Sequence, residues 1–175
     1  MANLSIVNVV ATANLCQEIV FEELRREPEV FHDSDVYHGK VAYFKDKTMQ
    51  GRVSIFLSGK LISAGTKSEE QAIKELNHVA KALVEKGFIN QVILYPKTQN
   101  IVVSGDLGRD VDFDKLMQKP GVVYEPEQFP ASILHLIHPY KATVLVFASG
   151  KIVISGLKSS SQIVHVVKEL EKIIA

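Results

Sequence analysis

The sequence predicts an α+β fold in which about ten antiparallel strands carry four helices, arranged as two similar halves related by a pseudo-two-fold axis. Three observations lead to this prediction. The chain repeats itself once, each half alternates between strand-like and helix-like periods, and the strands carry apolar residues on both faces. The hydrophobic fraction of 46% and the charged fraction of 23% are typical of a folded domain and exclude a disordered chain.

The internal repeat keeps its order along the whole chain. Asn8 matches Asn100 and Phe21 matches Phe113 at an offset of 92, whereas residues 55–60 match 146–151 and 65–68 match 156–159 at an offset of 91. The offset therefore slips by one residue only, between 37 and 56. We expect a first repeat at 1–87 and a second at 88–175. A two-copy repeat suits a partner that is itself nearly two-fold symmetric.

Each repeat is predicted to contain about five strands and two helices in the same order. The matched elements are an opening strand (4–12, 98–105), a short helix ended by proline (20–26, 112–119), a further strand (37–46, 130–138) and a hairpin turning at Ser58-Gly59 or Ser149-Gly150. Each repeat closes with a longer helix that carries one apolar stripe. Ser68 is predicted to cap the first of these helices, because serine followed by Glu70-Gln71 approximates a capping box.

The strands of the second hairpin predict an uncovered apolar surface. Alternation places Leu145, Phe147 and Val153 on one face, and Val146 and Ile154 on the other. Helices can cover only one face of such a sheet. The other face is then a binding surface, or it is buried in a homodimer, and the pattern alone favours neither interpretation.

Composition limits the classes of protein to consider. Twenty basic residues balance twenty acidic ones, so the net charge argues neither for nor against a polyanionic partner. A single cysteine, Cys16, excludes an intramolecular disulfide framework and a multi-cysteine zinc cluster. The chain contains no apolar run of about 18–20 residues and no apparent secretion signal, so we expect a soluble intracellular protein without membrane contact.

No pattern in the sequence predicts an enzyme, a metal site or a cofactor. Residues 65–68 resemble the end of a phosphate-binding loop, but the glycine required five residues earlier is Lys60. His135 and His138 are three residues apart on a predicted strand, so they face opposite sides and cannot share a metal ion. The sequence has no serine elbow and no cysteine–histidine pair with an orienting group.

A series of short strings resembles the TATA-binding protein family. They are Val-Asn-Val-Val-Ala-Thr (7–12), Ser-Gly-Lys (58–60), Gly-Thr-Lys-Ser-Glu-Glu (65–70), Gln-Asn-Ile-Val (99–102), Tyr-Glu-Pro-Glu-Gln-Phe-Pro (124–130) and Val-Phe-Ala-Ser-Gly-Lys (146–151). The resemblance runs from about residue 6 to 174, and its short N-terminal side is similar to archaeal members. It implies a curved, saddle-shaped sheet with helices on the convex face and DNA in contact with the concave face.

The resemblance assigns the central DNA contacts to two asparagines. Asn8 and Asn100 would donate hydrogen bonds to acceptors in the minor groove. A·T pairs show only acceptors there, whereas G·C pairs add an amino group. An apolar surface with donors only would leave that group unpaired, at a cost of about 1–3 kcal/mol. We therefore expect a preference for A·T-rich DNA. The apolar floor of the site is expected at Val10, Ile62, Val102 and Val153, with Ser58, Ser149 and Ser155 as further contacts.

In this family two aromatic pairs are inserted between base pairs of the DNA, one at a loop of each repeat called the stirrup. In this sequence the stirrups correspond to residues around 35–39 and 124–130. Phe129 and Phe147 match the second pair, and Phe56 matches half of the first. Asp-Val-Tyr-His-Gly at 35–39 replaces the usual Gln-Phe-Pro-Gly, so Tyr37 is the candidate for the fourth position. A tyrosine hydroxyl between base pairs loses its solvation, so we expect a weaker or shallower wedge. Packing of Tyr37 inside the protein is the alternative.

The phosphate contacts implied by the resemblance are few: Lys60, Lys67, Lys151 and Lys158. Tyr43 and His135 stand where the family often has arginine. We expect lower DNA affinity and a shallower salt dependence, in which the slope of log affinity against log salt falls by about one unit per lost phosphate contact. Cys16, whose counterpart in the second repeat is Gly108, is expected to be buried or half-buried.

Two acidic residues in the second stirrup, Glu125 and Glu127, match positions that dock transcription factor B in the family; a plain solvated turn is the alternative. Their first-repeat counterparts are absent, so the two stirrups differ. This difference would help to break the two-fold symmetry and orient the complex on the promoter. The resemblance implies a general transcription factor that bends promoter DNA and recruits factor B, and through it RNA polymerase. It would work with chromosomal DNA, in the cytoplasm of an archaeon or in a nucleus.

Two other hypotheses stay open at this point. A divergent paralogue would act mainly as a protein-interaction or regulatory module with weakened DNA binding. An auxiliary domain of an enzyme would need further fused sequence. A homodimer formed without DNA is a further partner to consider.

Overall fold

The computed structural model describes residues 3–175, and in that range it contains ten β-strands and four α-helices. All strand pairs defined within each half are antiparallel, which confirms the predicted α+β class. The chain forms two compact units. The first unit is Asn8–Gln99, and the second unit is Asn100–Ala175 together with the start of the chain up to Val7.

The elements follow the same order in both halves of the sequence. The first seven are β1 (Asn3–Asn14), α1 (Phe21–Leu24), β2 (Val30–His32), β3 (Val41–Phe44), β4 (Arg52–Phe56), β5 (Lys60–Thr66) and α2 (Glu69–Glu85). The remaining seven are β6 (Lys97–Asp106), α3 (Phe113–Leu116), β7 (Val122–Val123), β8 (Ala131–Leu136), β9 (Ala142–Phe147), β10 (Lys151–Leu157) and α4 (Ile163–Ile173).

In the first unit the strands are ordered β2-β3-β4-β5-β1, and α2 packs against β4 and β5. Ser68 caps α2, because its hydroxyl accepts the Gln71 N–H at 3.1 Å, as the sequence predicts. The predicted apolar stripe of α2 is buried at Leu76, Val79 and Leu83. Burial of this stripe fixes the helix on one face of the strands.

A buried carboxylate on α2 fixes the loop between β3 and β4. The Glu75 side chain is only 2% exposed. Its Oε1 atom accepts the backbone N–H groups of Gln50 at 2.7 Å and Gly51 at 3.2 Å, and the Gln71 side-chain amide at 3.1 Å. In the second unit the corresponding helix position is Val166, which is also buried. This device therefore belongs to the first unit alone.

In the second unit the strands are ordered β6-β10-β9-β8-β7. A 3₁₀ turn at Ser160–Gln162 precedes α4 and carries a full capping box, in which Ser159 and Gln162 satisfy each other's N–H groups. The helix buries Val166, Val167 and Leu170. The closing helices of the two units are thus built on the same plan, with a serine cap and one apolar stripe.

The structure differs from the sequence prediction at the outer strands. The sequence predicts about five strands per repeat but gives no position for β2 and β7, because three and two residues are too short to show a strand period. The strand expected at 37–46 begins only at Val41, since Val36–Gly39 form a tight turn. Short outer strands present few unpaired backbone groups, which limits unwanted pairing with other chains.

Both hairpins turn at a glycine that no other residue can replace without movement of the backbone. Gly59 and Gly150 each have a φ of +81°, in the left-handed region. A Cβ atom at Gly59 would lie 2.0 Å from the carbonyl oxygen of Gln17, and one at Gly150 would lie 2.0 Å from that of Arg109. The repeated Ser-Gly sequence therefore reflects a close backbone approach that is the same in both units.

A side-chain hydrogen bond joins the β3–β4 loop to α2. The His78 Nε2 atom lies 2.6 Å from the Asp46 carboxylate, which also accepts the Thr48 hydroxyl at 2.7 Å. The hydrogen bond from Thr48, followed by the one to His78, lowers the pKa of Asp46 to about 2. After α2, Lys86 contacts Glu27 and Glu29, and chiefly the Glu27 hydrogen bond raises the pKa of Lys86.

Candidate nucleic-acid interface

Each unit carries half-exposed apolar side chains on the strand face opposite its buried face. In the first unit Val10 and Ile62 alternate with the buried residues Val9 and Leu61. In the second unit Val102 and Val153 alternate in the same way with residues such as Ile101 and Ile152, which are completely buried. We call these two surfaces the outer faces. All four residues predicted to form the apolar floor lie on them.

Each outer face holds one asparagine in a fixed orientation. Asn8 Oδ1 accepts the backbone N–H of Gly65 at 2.8 Å, and Asn100 Oδ1 accepts that of Gly156 at 2.7 Å. A backbone N–H can only donate, so the side-chain atom that meets it must be the carbonyl oxygen. The Nδ2 amino group of each half-exposed asparagine is consequently the end left to donate to another molecule.

The two glycines make this arrangement through an irregularity in strand pairing. The register shifts between Val9 and Ala11 where β1 pairs with β5, and between Ile154 and Leu157 where β10 pairs with β6. Gly65 and Gly156 lie at these shifts with φ values of +94° and +95°. Such bulges release a backbone N–H from the strand ladder. In the sequence both glycines are matched repeat positions with an offset of 91, and this shared offset is the signal that they have a common role.

The hairpin turns present polar groups beside the outer faces. Ser58 and Lys60 flank Gly59, Ser149 and Lys151 flank Gly150, and all four flanking residues are exposed. Ser155 is half-exposed and lies opposite Thr143 in the β10–β9 pair. Lys67 and Lys158 follow the ends of β5 and β10 and are exposed.

Two phenylalanines form a ring pair in the second unit. The Phe129 and Phe147 ring centroids are 6.1 Å apart in an edge-to-face arrangement, and Phe129 is 41% exposed. The carbonyl of Glu125 accepts the N–H groups of both Gln128 and Phe129 at 2.9 Å, which closes the turn before Phe129. The side chains of Glu125 and Glu127 are exposed on this turn.

The strand register of the first unit corrects the expected match for Tyr37. Val41 pairs with Phe56 just as Ala131 pairs with Phe147. The position equivalent to Phe129, two residues before Ala131, is therefore Gly39 rather than Tyr37. Between positions made equivalent by strand pairing, the step from Phe31 to Val41 is two residues longer than the step from Val123 to Ala131. The step from Phe44 to Val53 is one residue shorter than the step from Leu134 to Val144. The single slip of one residue inferred from the sequence is wrong, because two opposite length changes nearly cancel.

The first stirrup has an unusual backbone. Tyr37, His38 and Gly39 have φ values of +49°, +55° and +70°, and the His32 ring nitrogen lies 2.9 Å from the Gly39 carbonyl. Left-handed conformations cost non-glycine residues about 1–2 kcal/mol each. The side chain of Tyr37 is 69% exposed, so the alternative that it packs inside the protein is wrong.

The expected burial of Cys16 is also wrong, because this residue is exposed. It follows β1 in a turn with a φ of +55°, and its N–H donates to Asn14 Oδ1 at 2.8 Å. Gly108 occupies the same turn in the second unit, with a φ of +70° and a 2.8 Å bond to Asp106. The turn geometry, rather than the apolar character of cysteine, determines this position.

Two further features are absent from residues 3–175. No group of three or more His, Cys, Asp or Glu side chains in this range is arranged to hold a metal ion. None of the helices in the same range is long and apolar enough to cross a membrane.

The sequence profile described as "Transcription factor TFIID (or TATA-binding protein, TBP)" matches residues 3–86 and 95–175. The chain belongs to this family. The TATA-box-binding protein of Cenarchaeum symbiosum is 38% identical to the chain, with 90% of this chain and 86% of the relative covered. That of Methanococcus aeolicus is 35% identical, with 98% and 97% covered.

A solved structure of the family has the same fold. The structure titled "Methanococcus jannaschii TBP" superimposes with a TM-score of 0.85 and 32% sequence identity, and the match covers 98% of each chain. Family membership agrees with the resemblance drawn from the short strings, and the relatives named above are archaeal, as the sequence suggests.

Proposed function

We propose that this protein is a general transcription factor that binds A·T-rich promoter DNA in the minor groove through its outer faces. The observation that carries the proposal is the fixed orientation of Asn8 and Asn100. In each unit the side-chain oxygen is occupied by a glycine N–H, at 2.8 and 2.7 Å, so an amino group is left as the donor. Donors of this kind match the acceptors that every A·T pair presents in the minor groove.

The surroundings of the asparagines support discrimination against G·C pairs. Val10 and Ile62 in the first unit, and Val102 and Val153 in the second, have no polar atom to accept a hydrogen bond from the guanine amino group. Burial of that group without a partner costs about 1–3 kcal/mol. A·T preference then arises from the penalty on G·C pairs more than from added contacts to A·T pairs.

We propose further that aromatic side chains at the stirrups bend the bound DNA. Phe129 and Phe147 are adjacent, exposed or half-exposed, and apolar, which suits insertion between base steps. In the first unit Phe56 is half-exposed in the corresponding strand position. Exposed Tyr37 remains a candidate contact there. Lys60, Lys67, Lys151 and Lys158 would contact phosphates, and Ser58, Ser149 and Ser155 would lie beside the groove.

The proposed protein partner is transcription factor B, through the second stirrup. Glu125 and Glu127 are exposed beside Phe129, so a basic partner could approach them while the DNA is bound. RNA polymerase would then be recruited indirectly. The chain is proposed to act with chromosomal DNA inside the cell, without catalysis or a cofactor, and residues 1–87 and 88–175 are proposed to be two copies of one ancestral repeat.

The direct test is binding of fluorescently labelled duplexes, measured by anisotropy across a range of salt concentrations. We expect an A·T-rich duplex to bind more tightly than a G·C-rich duplex of equal length at every salt concentration. Equal affinities would contradict the proposal and would favour a protein-interaction module instead.

The partner contact has a separate test. Glu125→Arg is expected to keep DNA affinity within twofold of the unmodified protein or to increase it slightly, because it adds a positive charge. It is expected to abolish the slower-migrating gel band that purified factor B forms with the protein–DNA complex. Glu171→Arg, which makes the same charge change on the exposed side of α4, is the matched control and should retain that complex. Retention of the factor B complex by Glu125→Arg would refute the assigned contact.

A further inference from the structure

Three side chains form a stacked cluster at the edge of the outer face of the first unit. Phe31 on β2 stacks on Tyr43 of β3, with centroids 6.4 Å apart and planes inclined by 27°. The guanidinium carbon of Arg52, on β4, lies 4.6 Å from the Tyr43 ring centroid. We call these three residues the arginine stack. Phe31 is 63% exposed, so the cluster is open to solvent rather than part of the core.

Strand register places the arginine stack on the outer face. Phe31 pairs directly with Tyr43, Tyr43 pairs with Ser54, and Ser54 pairs with Ile62. Directly paired residues in antiparallel strands project from the same side. The stack therefore shares its side with the apolar floor residue Ile62. Arg52 lies two residues before Ser54 on the same strand and projects from that side as well.

The stack holds a cation in a defined place. A guanidinium over an aromatic ring is attracted by the ring, and its N–H groups, which lie in its own plane, still point outward. Among the residues that the structure describes, no acidic group forms an ion pair with Arg52. Glu29, which borders the adjoining groove, is paired with Lys86 at 3.2 Å. The charge of Arg52 is thus available to an anion.

A groove of about 510 Å³ adjoins the stack, lined in part by Val30, Val36 and Lys45. Lys45 donates to the Gln50 carbonyl at 3.1 Å and adds a second positive charge. Apolar walls with two cations match a sugar–phosphate segment, which has apolar ring carbons and an anionic linker. The second unit has no such arrangement, since Val123, Ile133, Leu145 and Thr143 occupy the matching positions.

We propose that Arg52 binds a phosphate of the DNA backbone at the rim of the interface, and that Tyr43 and Phe31 are positioning residues for its guanidinium. This inference rests on the proposed DNA-binding function. The minor groove is only about 6 Å wide and is bordered by phosphates. A protein surface whose apolar floor meets the base edges therefore brings the cations at its rim against phosphates.

The assignment changes the meaning of Tyr43. From the sequence, tyrosine at this position, taken together with His135, implies the loss of an arginine and of one phosphate contact. The strand register instead makes Ile133 the counterpart of Tyr43. In the structure the neighbouring strand supplies an arginine over the tyrosine ring, so the cation is carried by Arg52 instead. The slope of log affinity against log salt should then be about one unit steeper than phosphate contacts from the four predicted lysines alone would give.

The test is the salt dependence of binding to an A·T-rich duplex. Arg52→Gln is expected to reduce the slope of log affinity against log salt by about one unit. It should leave the ratio of A·T-rich to G·C-rich affinities unchanged, because phosphate contacts carry no base information. Lys74→Gln removes the same charge from the exposed side of α2 and is the matched control; its slope should equal that of the unmodified protein.

The positioning role has its own variants. Tyr43→Phe keeps the ring and should keep the slope, whereas Tyr43→Leu should lower the slope as Arg52→Gln does. In the Arg52→Gln background, Tyr43→Leu should cause no further change in slope. Thermal unfolding of each variant confirms that the protein remains folded. In an ethylation interference assay, ethylation of one or two adjacent phosphates should reduce binding of the unmodified protein but should not reduce binding of Arg52→Gln.

Two outcomes would overturn the inference. One is that the unmodified protein prefers A·T-rich DNA, but Arg52→Gln binds it with the same slope of log affinity against log salt and the same phosphate interference pattern. The other is a lowered slope for Tyr43→Phe, which would show that the hydroxyl acts rather than the ring. If the unmodified protein shows no preference for A·T-rich DNA, the proposed function itself fails and the phosphate assignment falls with it.

Discussion

Replacement of Asn100 by aspartate tests the central contact with almost no change of shape. The aspartate retains an oxygen where Asn100 Oδ1 accepts the Gly156 N–H at 2.7 Å, so the local fold should be preserved. The amino group becomes a carboxylate oxygen, which faces an acceptor of the A·T pair and leaves both groups unpaired. An unpaired buried polar group costs about 1–3 kcal/mol, which corresponds to about 5- to 150-fold in affinity. Repulsion between the carboxylate and the phosphates adds to this loss.

The assay is anisotropy with an A·T-rich duplex, together with thermal unfolding of the free protein. Asn100→Asp should bind at least about fivefold more weakly while unfolding at nearly the same temperature. Asn8→Asp should behave alike, since its bond to Gly65 has the same geometry at 2.8 Å. Asn77→Asp makes the same charge change on the exposed side of α2 and should bind normally. Unchanged DNA affinity in Asn100→Asp would refute the donor role of this residue.

Three further predictions concern the wedges, a hairpin and a pH dependence. Phe147→Ala should reduce the unstacking of bases in bound DNA, measured by 2-aminopurine fluorescence, more than Phe56→Ala does. The reason is that Phe129 lies against Phe147, whereas Gly39 occupies the matching position in the first unit. Equal reductions in the two variants would contradict this prediction. Gly150→Ala should destabilise the protein by about 2 kcal/mol or more in urea unfolding, since its Cβ would lie 2.0 Å from a backbone oxygen. Asp46→Asn should lower the unfolding temperature at pH 6. The pKa of Asp46 is depressed to about 2 in the folded state against about 4 unfolded, so its contribution is present above pH 4 and lost as the pH falls toward 2. The difference between variant and unmodified protein should therefore vanish over that interval, and a difference that persists at pH 2 would exclude this origin.

The elements that the sequence predicts well are those set by local periodicity. Alternation along the strands correctly places Val153 and Phe147 on the half-exposed side of the second unit, and the Ser68 cap of α2 follows from a few adjacent residues. Asn8 and Asn100 are visible as candidates because the repeat matches them. These features depend on neighbours in sequence, which a single chain displays directly.

The features that the sequence does not predict depend on pairing between distant strands. The Asn8–Gly65 hydrogen bond joins residues 57 positions apart, and its geometry needs a register shift that no local pattern announces. The sequence matches Tyr37 to a wedge position through the string at 35–39. A two-residue insertion and a one-residue deletion nearly cancel in the repeat offset around this string, and the Val41–Phe56 pair reveals them. The arginine stack likewise needs β2, β3 and β4 to be aligned.

The differences between the two units lie at the rims and stirrups, whereas the floors are alike. Both floors combine valine or isoleucine with one oriented asparagine, so they would recognise A·T pairs equally well. The floors alone would then give no directional preference, so any such preference must come from the residues that differ. A tenfold preference needs about 1.4 kcal/mol. Arg52 and Lys45 on the first unit, and the Phe129–Phe147 pair on the second, are differences of a kind that can supply it. The floors would thus select the DNA, and the rims and stirrups would set its direction.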